Sequence, residues 1–226
     1  MSILRLTREA LSFLYAYGIV AIYIVITGFY VVILLLLDEG IRAPIATFII
    51  FSDPAAMGMA FMGAVMLLEK NQRVSLTLVT SPLPLWKYIV AQVLTFLLMG
   101  SGVALVLLLV THDRSVVITI FGVAITSIGF SLLGMLIGAS ATTLNGYIVQ
   151  TIIPVLILSI PAFLYLSGLI THPWWLLHPG VSAIALISGR MDWVTLVVVI
   201  GWTIPLLHIT HTAVRRSFTQ LNEVKV

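Results

Sequence analysis

GIVAIYIVITGFYVVILLLL, residues 18–37, carries no charged side chain and is closed off by Asp38 and Glu39. A helix needs about 20 apolar residues at 1.5 Å rise per residue to cross roughly 30 Å of hydrocarbon. This stretch supplies them. The pattern recurs at about 45–68, 89–110, 116–139, 147–169 and 194–213. Backbone polar groups in lipid must be satisfied within their own segment, so each window reads as helix. The expectation is an all-α integral membrane protein, one transmembrane domain over residues 1–226 with six spans and almost no soluble part.

Composition agrees. Of 226 residues, 61% are hydrophobic and 8% charged, against about 25% charged in soluble domains. There is no cysteine, which excludes disulfides, thiolate metal sites and cysteine nucleophiles. A formal charge of +3, small and segregated, does not suit nucleic-acid binding. A bare helical bundle can conduct, bind, anchor or catalyse within the bilayer, and the function lies in that set.

Orientation follows from the cations. Placing the N-terminus in the cytoplasm puts Arg5, Arg8, Lys70, Arg73, Lys87, Arg215, Arg216 and Lys225 inside. Only Arg42, Arg114 and Arg190 then lie outside, so both termini are expected to be cytoplasmic. The run from Gly18 to Leu37 is too long for a signal-peptide core and lacks a small-residue cleavage site, so the first span is expected to be retained. Before it, Leu4, Leu6, Leu11, Phe13 and Leu14 mix with Arg5, Arg8 and Glu9. That mixture suits a helix over residues 1–16 lying in the cytoplasmic interface. It equally suits plain flanking charge.

Asp38 to Pro44 and Thr111 to Ser115 read as tight outer turns, and Ala141 to Gly146 as a small inner one. Two connections are longer. The inner one, Glu69 to Tyr88, begins with charges, spaces Val74, Leu76, Leu78 and Val79 along one apolar face, and stops at Ser81-Pro82-Leu83-Pro84. Each proline removes a backbone donor and holds the preceding residue out of the α region. Trp86, Lys87 and Tyr88 then anchor the third span at headgroup level. The segment is either a charged, partly apolar cytoplasmic elbow or an ordinary positive-inside loop with a proline turn.

The outer connection, Thr171 to Trp193, is too apolar for a solvated loop and too short to span. Backbone that enters the membrane without crossing must be helical or covered by protein. A pair of re-entrant helices broken at His178-Pro179-Gly180 meets that condition, with Trp174 and Trp175 at the outer interface. An aromatic belt followed by an amphipathic surface helix is the alternative.

These residues resemble a known family. The acidic-basic start at Glu69-Lys70, the spaced leucines, Ser81-Pro82-Leu83 and the aromatic lead into the third span are similar to the first cytoplasmic loop of type-2 ABC exporter permeases. Pro154, Pro161, Ser167-Gly168, Pro173-Trp174-Trp175, His178-Pro179 and Ala185 to Arg190 are similar to that family's proline-rich fifth span and outer loop. Together these stretches cover about Met57 to Arg190. Val74-Ser75 stands where the family usually has Gly-Thr, Gln92 where a lysine is common, and His178-Pro179 where Asn-Pro is usual.

The resemblance implies a permease subunit, and not an enzyme in its own right, that exports a drug, lipid or small peptide. The chain has no Gly-x-x-x-x-Gly-Lys-Ser/Thr phosphate loop. No cofactor is therefore expected on it, and ATP and Mg would belong to a partner ABC ATPase. A second permease copy, in a homodimer or a heterodimer, would complete the path through the lipid bilayer. Glu69, Lys70 and Arg73 would dock the ATPase, Val74, Leu76 and Leu78 would pack against it, and Pro82 and Pro84 would stiffen the elbow. Trp174, Trp175, His178 and Pro179 would form an outer gate.

Within the spans, Asp53 is the one embedded charge, a functional candidate for proton or cation coupling. Ser52-Asp53-Pro54 also reads as a helix start. Thr126, Ser127, Ser131, Thr151 and Ser159 are candidates for the lining of a path. Gly134 and Gly138, with Gly129 and Ser131, form a small face that permits close helix packing. His208 and His211 lack further ligands for a metal and suit interfacial hydrogen bonds. A secondary transporter working through Asp53 and a non-transporting anchor or sensor subunit are the rival readings. No Gly-x-Ser-x-Gly or His-Glu-x-x-His set supports an intramembrane enzyme.

Overall fold

The computed structural model describes residues 2–71, 84–111 and 116–223, and among these every regular element is a helix. Helix α1 (Ile3–Ala16) starts under the Ser2 side chain, which accepts from the Arg5 N–H at 3.4 Å. It ends at Gly18, whose φ of 73° is a left-handed turn that glycine adopts without strain. Helix α2 (Ile19–Leu36) follows. Arg42 then reaches back to donate to the Leu37 carbonyl at 2.8 Å.

The next span is longer than the sequence suggested. Helix α3 (Glu39–Ile50) begins directly after Asp38, passes through a π turn at Phe51–Ala55, and continues as α4 (Met57–Asn71). The expected turn from Asp38 to Pro44 is therefore helical. Pro44 deletes one bond, to Gly40, whose carbonyl lies in an exposed first turn. Ser52-Asp53-Pro54 is likewise no helix start. Pro54 lacks the N–H that an α turn needs, and the helix accommodates it by widening locally.

Helices α5 (Leu85–Thr111), α6 (Val116–Ser140) and α7 (Leu144–Leu166) come next. A short 3-10 turn at Pro173–Leu177 leads into α8 (Pro179–Ile187), and α9 (Trp193–Glu223) closes the chain. Among the described residues, six helical segments are long and apolar enough to cross a membrane: α2, the joined α3–α4, α5, α6, α7 and α9.

Helix α6 is the hub and packs against α4, α5, α8 and α9. Its buried positions recur at Thr119, Gly122, Thr126, Phe130 and Gly134, the spacing of one helical face. Small residues set how close its neighbours come. A methyl added at Gly134 would lie 2.6 Å from the Gly58 carbonyl oxygen, and one at Gly138 would lie 2.6 Å from the Gly63 Cα. The small face thus serves packing within the chain, α6 against α4.

Tyr147 of α7 locks this crossing. Its hydroxyl donates to the Met59 carbonyl and accepts from the Gly63 N–H at 3.3 Å. Tyr147→Phe is expected to leave both backbone groups without that partner. The expected cost is about 1 kcal/mol, read as a lower thermal midpoint in detergent, because the hydroxyl bonds that join α7 to α4 are lost.

The periphery is different. Helices α2, α7 and α9 keep only 17% of their most apolar windows buried, against 44% for α6. They are the faces left for lipid or for another subunit.

Candidate functional site

α4 and α5 are tied together at the ends that border residues 72–83. Glu69 accepts from the Tyr88 hydroxyl and, through Oε1, from the Gln92 amide at 2.9 Å. Tyr88 and Gln92 lie one helical turn apart, so they present to the same acid. The Tyr88 ring packs on Phe218 of α9 at 5.9 Å. Tyr88 is therefore a buried residue and not a headgroup anchor. Trp86 and Lys87, on another face of the helix, remain at the surface, with the Lys87 ammonium 5.8 Å from the Trp86 ring.

The structure thus gives the Glu69 carboxylate partners inside its own chain. Lys70 lies in the last turn of α4, and Pro84 is exposed just before α5. Arg73, Val74, Leu76, Leu78 and Pro82 lie outside the described residues. Glu69→Ala is expected to destabilise by about 1–3 kcal/mol, since the Tyr88 and Gln92 donors lose their acceptor. A double-mutant cycle with Gln92→Ala in thermal denaturation is expected to show non-additivity; additive losses would mean the bond contributes nothing.

Between α7 and α9, Trp174 and Trp175 sit exposed in the 3-10 turn, whose start is capped by the His172 imidazole accepting from the Trp174 N–H. Pro179 occupies the first turn of α8, where a missing N–H costs nothing. Every residue from Gly180 to Ile187 is buried, so α8 is an internal helix and not a surface one. Two glycines allow this. A Cβ at Gly180 would lie 2.1 Å from the Leu158 carbonyl oxygen in mid-α7, and one at Gly122 would lie 2.9 Å from the Leu186 backbone. The Ser182 hydroxyl ties α8 back to the Leu176 carbonyl.

The path candidates do not converge on one place. Asp53 sits in the π turn beside the Tyr30 hydroxyl, with its Oδ2 buried and without a hydrogen-bond partner. Ser131 faces the Gly58 crossing. Thr151 donates to its own helix at the Tyr147 carbonyl, 2.7 Å away. Ser127 is buried on α6, and Ser159 is half-buried on α7.

Thr126 is the exception. It lines a cavity of about 480 Å³ together with His178 and Pro179 from the outer segment. Helix α6 contributes Phe130, α7 contributes Pro154, and α9 contributes Trp202 and Pro205. The lining is almost wholly apolar, yet Thr126 Oγ1 and His178 Nδ1 are buried without partners. Burial lowers the His178 pKa below the usual imidazole value, so the ring is neutral at physiological pH. Among the described residues no cluster of His, Asp or Glu could hold a metal ion.

That His178 and Thr126 line one cavity could not be read from the sequence, because it depends on how α8 packs against α6 and α7. The available signal was Gly180 following the proline.

The chain is 24% identical over 166 residues to two proteins of Mycobacterium tuberculosis, from two strains, each named a fluoroquinolones export permease protein. The alignment covers 73% of this chain and 70% of each relative. No family model matches the chain, and no solved structure matches it. The chain therefore resembles proteins named export permeases.

Proposed function

We propose that this protein is the membrane-spanning subunit of an ATP-driven ABC exporter that carries a hydrophobic or amphipathic molecule out of the cell. The observation that carries the reading is the likeness to export permeases in a chain with six helical segments long and apolar enough to cross a membrane. A drug of the aromatic, amphipathic type named in those relatives is the first cargo to try.

In this reading a separate ATPase holds ATP and Mg and engages the 69–88 segment from the cytoplasm. The Glu69–Tyr88–Gln92 contact supports it by joining α4 to α5 at the root of that segment, so that a push there is delivered to two spans together. The segment from Thr171 to Trp193 is a re-entrant outer element, supported by the complete burial of α8. The uncovered faces of α2, α7 and α9 suit a second permease copy, with the inner membrane as the setting and both termini cytoplasmic.

A second reading keeps its own observation. The Asp53 carboxylate in a π turn, bonded to Tyr30 but with its buried Oδ2 left without a partner, suits ion-coupled transport, because acids in spans are costly without a role. Inside-out vesicles from cells expressing the permease and its ATPase separate the two. Accumulation of a fluoroquinolone on adding MgATP, persisting when the proton gradient is collapsed, is the expected result. Accumulation that follows the gradient and ignores ATP would overturn the exporter reading.

A further inference from the structure

Threonine hydroxyls inside these helices usually settle on the carbonyl four residues earlier. Thr27, Thr47, Thr95, Thr151 and Thr203 all do so, at 2.6–3.0 Å. Thr126 does not. Its residue is 3% exposed, its hydroxyl oxygen has no partner, and it lines the 480 Å³ cavity. That volume lies in the range of small-molecule sites, which are mostly apolar with a few placed polar groups.

The N-terminus of α8 opens on the same cavity through His178, Pro179 and Gly180. The first N–H groups of a helix have no partner within it, and the end carries partial positive charge. A hydroxyl and a helix start together select a hydrogen-bond acceptor. No Lys or Arg is among the lining residues, so a full negative charge would be desolvated without compensation. An uncharged acceptor avoids that cost. A lipid tail would fill the apolar space but leave the Thr126 hydroxyl unpaired.

We propose that the cavity among α6, α7, α8 and α9 binds a compact apolar molecule bearing an uncharged carbonyl, which accepts from the Thr126 hydroxyl at the N-terminal end of α8. The site lies within one copy of the chain. That its occupant is the exported cargo rests on the exporter reading; that it binds does not.

Trp202 lines the cavity and reports on it. The protein in nanodiscs is titrated with 6-bromo-2-acetylnaphthalene, whose bromine quenches tryptophan on contact, and with 6-bromo-2-ethylnaphthalene, which has nearly the same shape but no carbonyl. The Trp202 signal is the difference between the unaltered protein and Trp202→Phe. Saturable quenching, about tenfold tighter for the ketone, is expected, as one buried hydrogen bond commonly contributes a factor of that order.

Thr126→Val is expected to abolish the preference for the ketone and Thr126→Ser to keep it. Gly129→Leu tests the space itself. A Cβ there meets only the Thr203 hydroxyl oxygen at 3.6 Å, so the fold has room, and binding of both probes is expected to fall. Non-saturable quenching that is equal for the two probes and indifferent to Thr126→Val would mean the groove holds only lipid, and would overturn the proposal. Saturable, ketone-selective binding in a protein that shows no ATP-driven uptake would uphold the site while removing the exporter reading.

Discussion

A single methyl group added at Gly138 or Gly180 is expected to prevent the bundle from closing, with losses of about 3 kcal/mol or more and a sharp fall in monodisperse yield from detergent. The reason is backbone against backbone. At Gly138 the new carbon would lie 2.6 Å from the Gly63 Cα, and at Gly180 it would lie 2.1 Å from the Leu158 carbonyl oxygen. No side chain can rotate away to relieve either clash, so whole helices must separate. α4 would leave α6 in the first case, and α8 would leave α7 in the second.

Separation then spreads. Tyr147 loses its two backbone partners on α4, and Met57, Met62, Val65 and Met66 lose their packing against Leu132 and Met135. Gly102→Ala is the matched control, since a Cβ there meets nothing within 4 Å. It is expected to hold or slightly raise the thermal midpoint, as alanine is the better helix former. Equal midpoints for Gly138→Ala and Gly102→Ala would show that the α4–α6 approach is looser than described here.

Leu76→Asp or Leu78→Asp is expected to abolish ATP-driven uptake, by about a hundredfold or more, while membrane insertion and yield stay normal. On the exporter proposal these leucines form the apolar face that packs on the ATPase. Burying a carboxylate there without a partner costs several kcal/mol. A cost of that size is enough to uncouple two subunits. Drug-accumulation rates in inside-out vesicles, normalised to permease content, check it. Normal uptake with both changes in place would remove the 69–88 segment from the mechanism.

The spans were legible because apolar length is a one-dimensional property, and α2 coincides almost residue for residue with its window. Two of the prolines read as breaks misled, while the break at His178-Pro179 stands where the next helix begins. Pro44 sits inside α3, and Pro54 inside a π turn, because a long helix gives up one bond more cheaply than it ends in lipid. Gly134 and Gly138 announced a close crossing, but their partners Gly58 and Gly63 are five apart and carry no such pattern.

Site features were less legible for the same reason. Glu69 reads as an exposed docking charge until α5 turns Tyr88 and Gln92 toward it. Thr126 was one hydroxylated residue among several on its helix. What distinguishes it is the absence of the usual bond to its own helix and the arrival of α8 beside it, both properties of packing.

The most direct test of the central claim is a gentle-detergent pull-down of the tagged, unaltered protein from its native host, with the co-purifying chains identified and assayed for ATP hydrolysis. A stoichiometric ATPase, lost when Arg73 and Leu76 are changed to alanine, is the result the account predicts. A clean permease with no ATPase, under conditions that keep a known ABC complex whole, would contradict it.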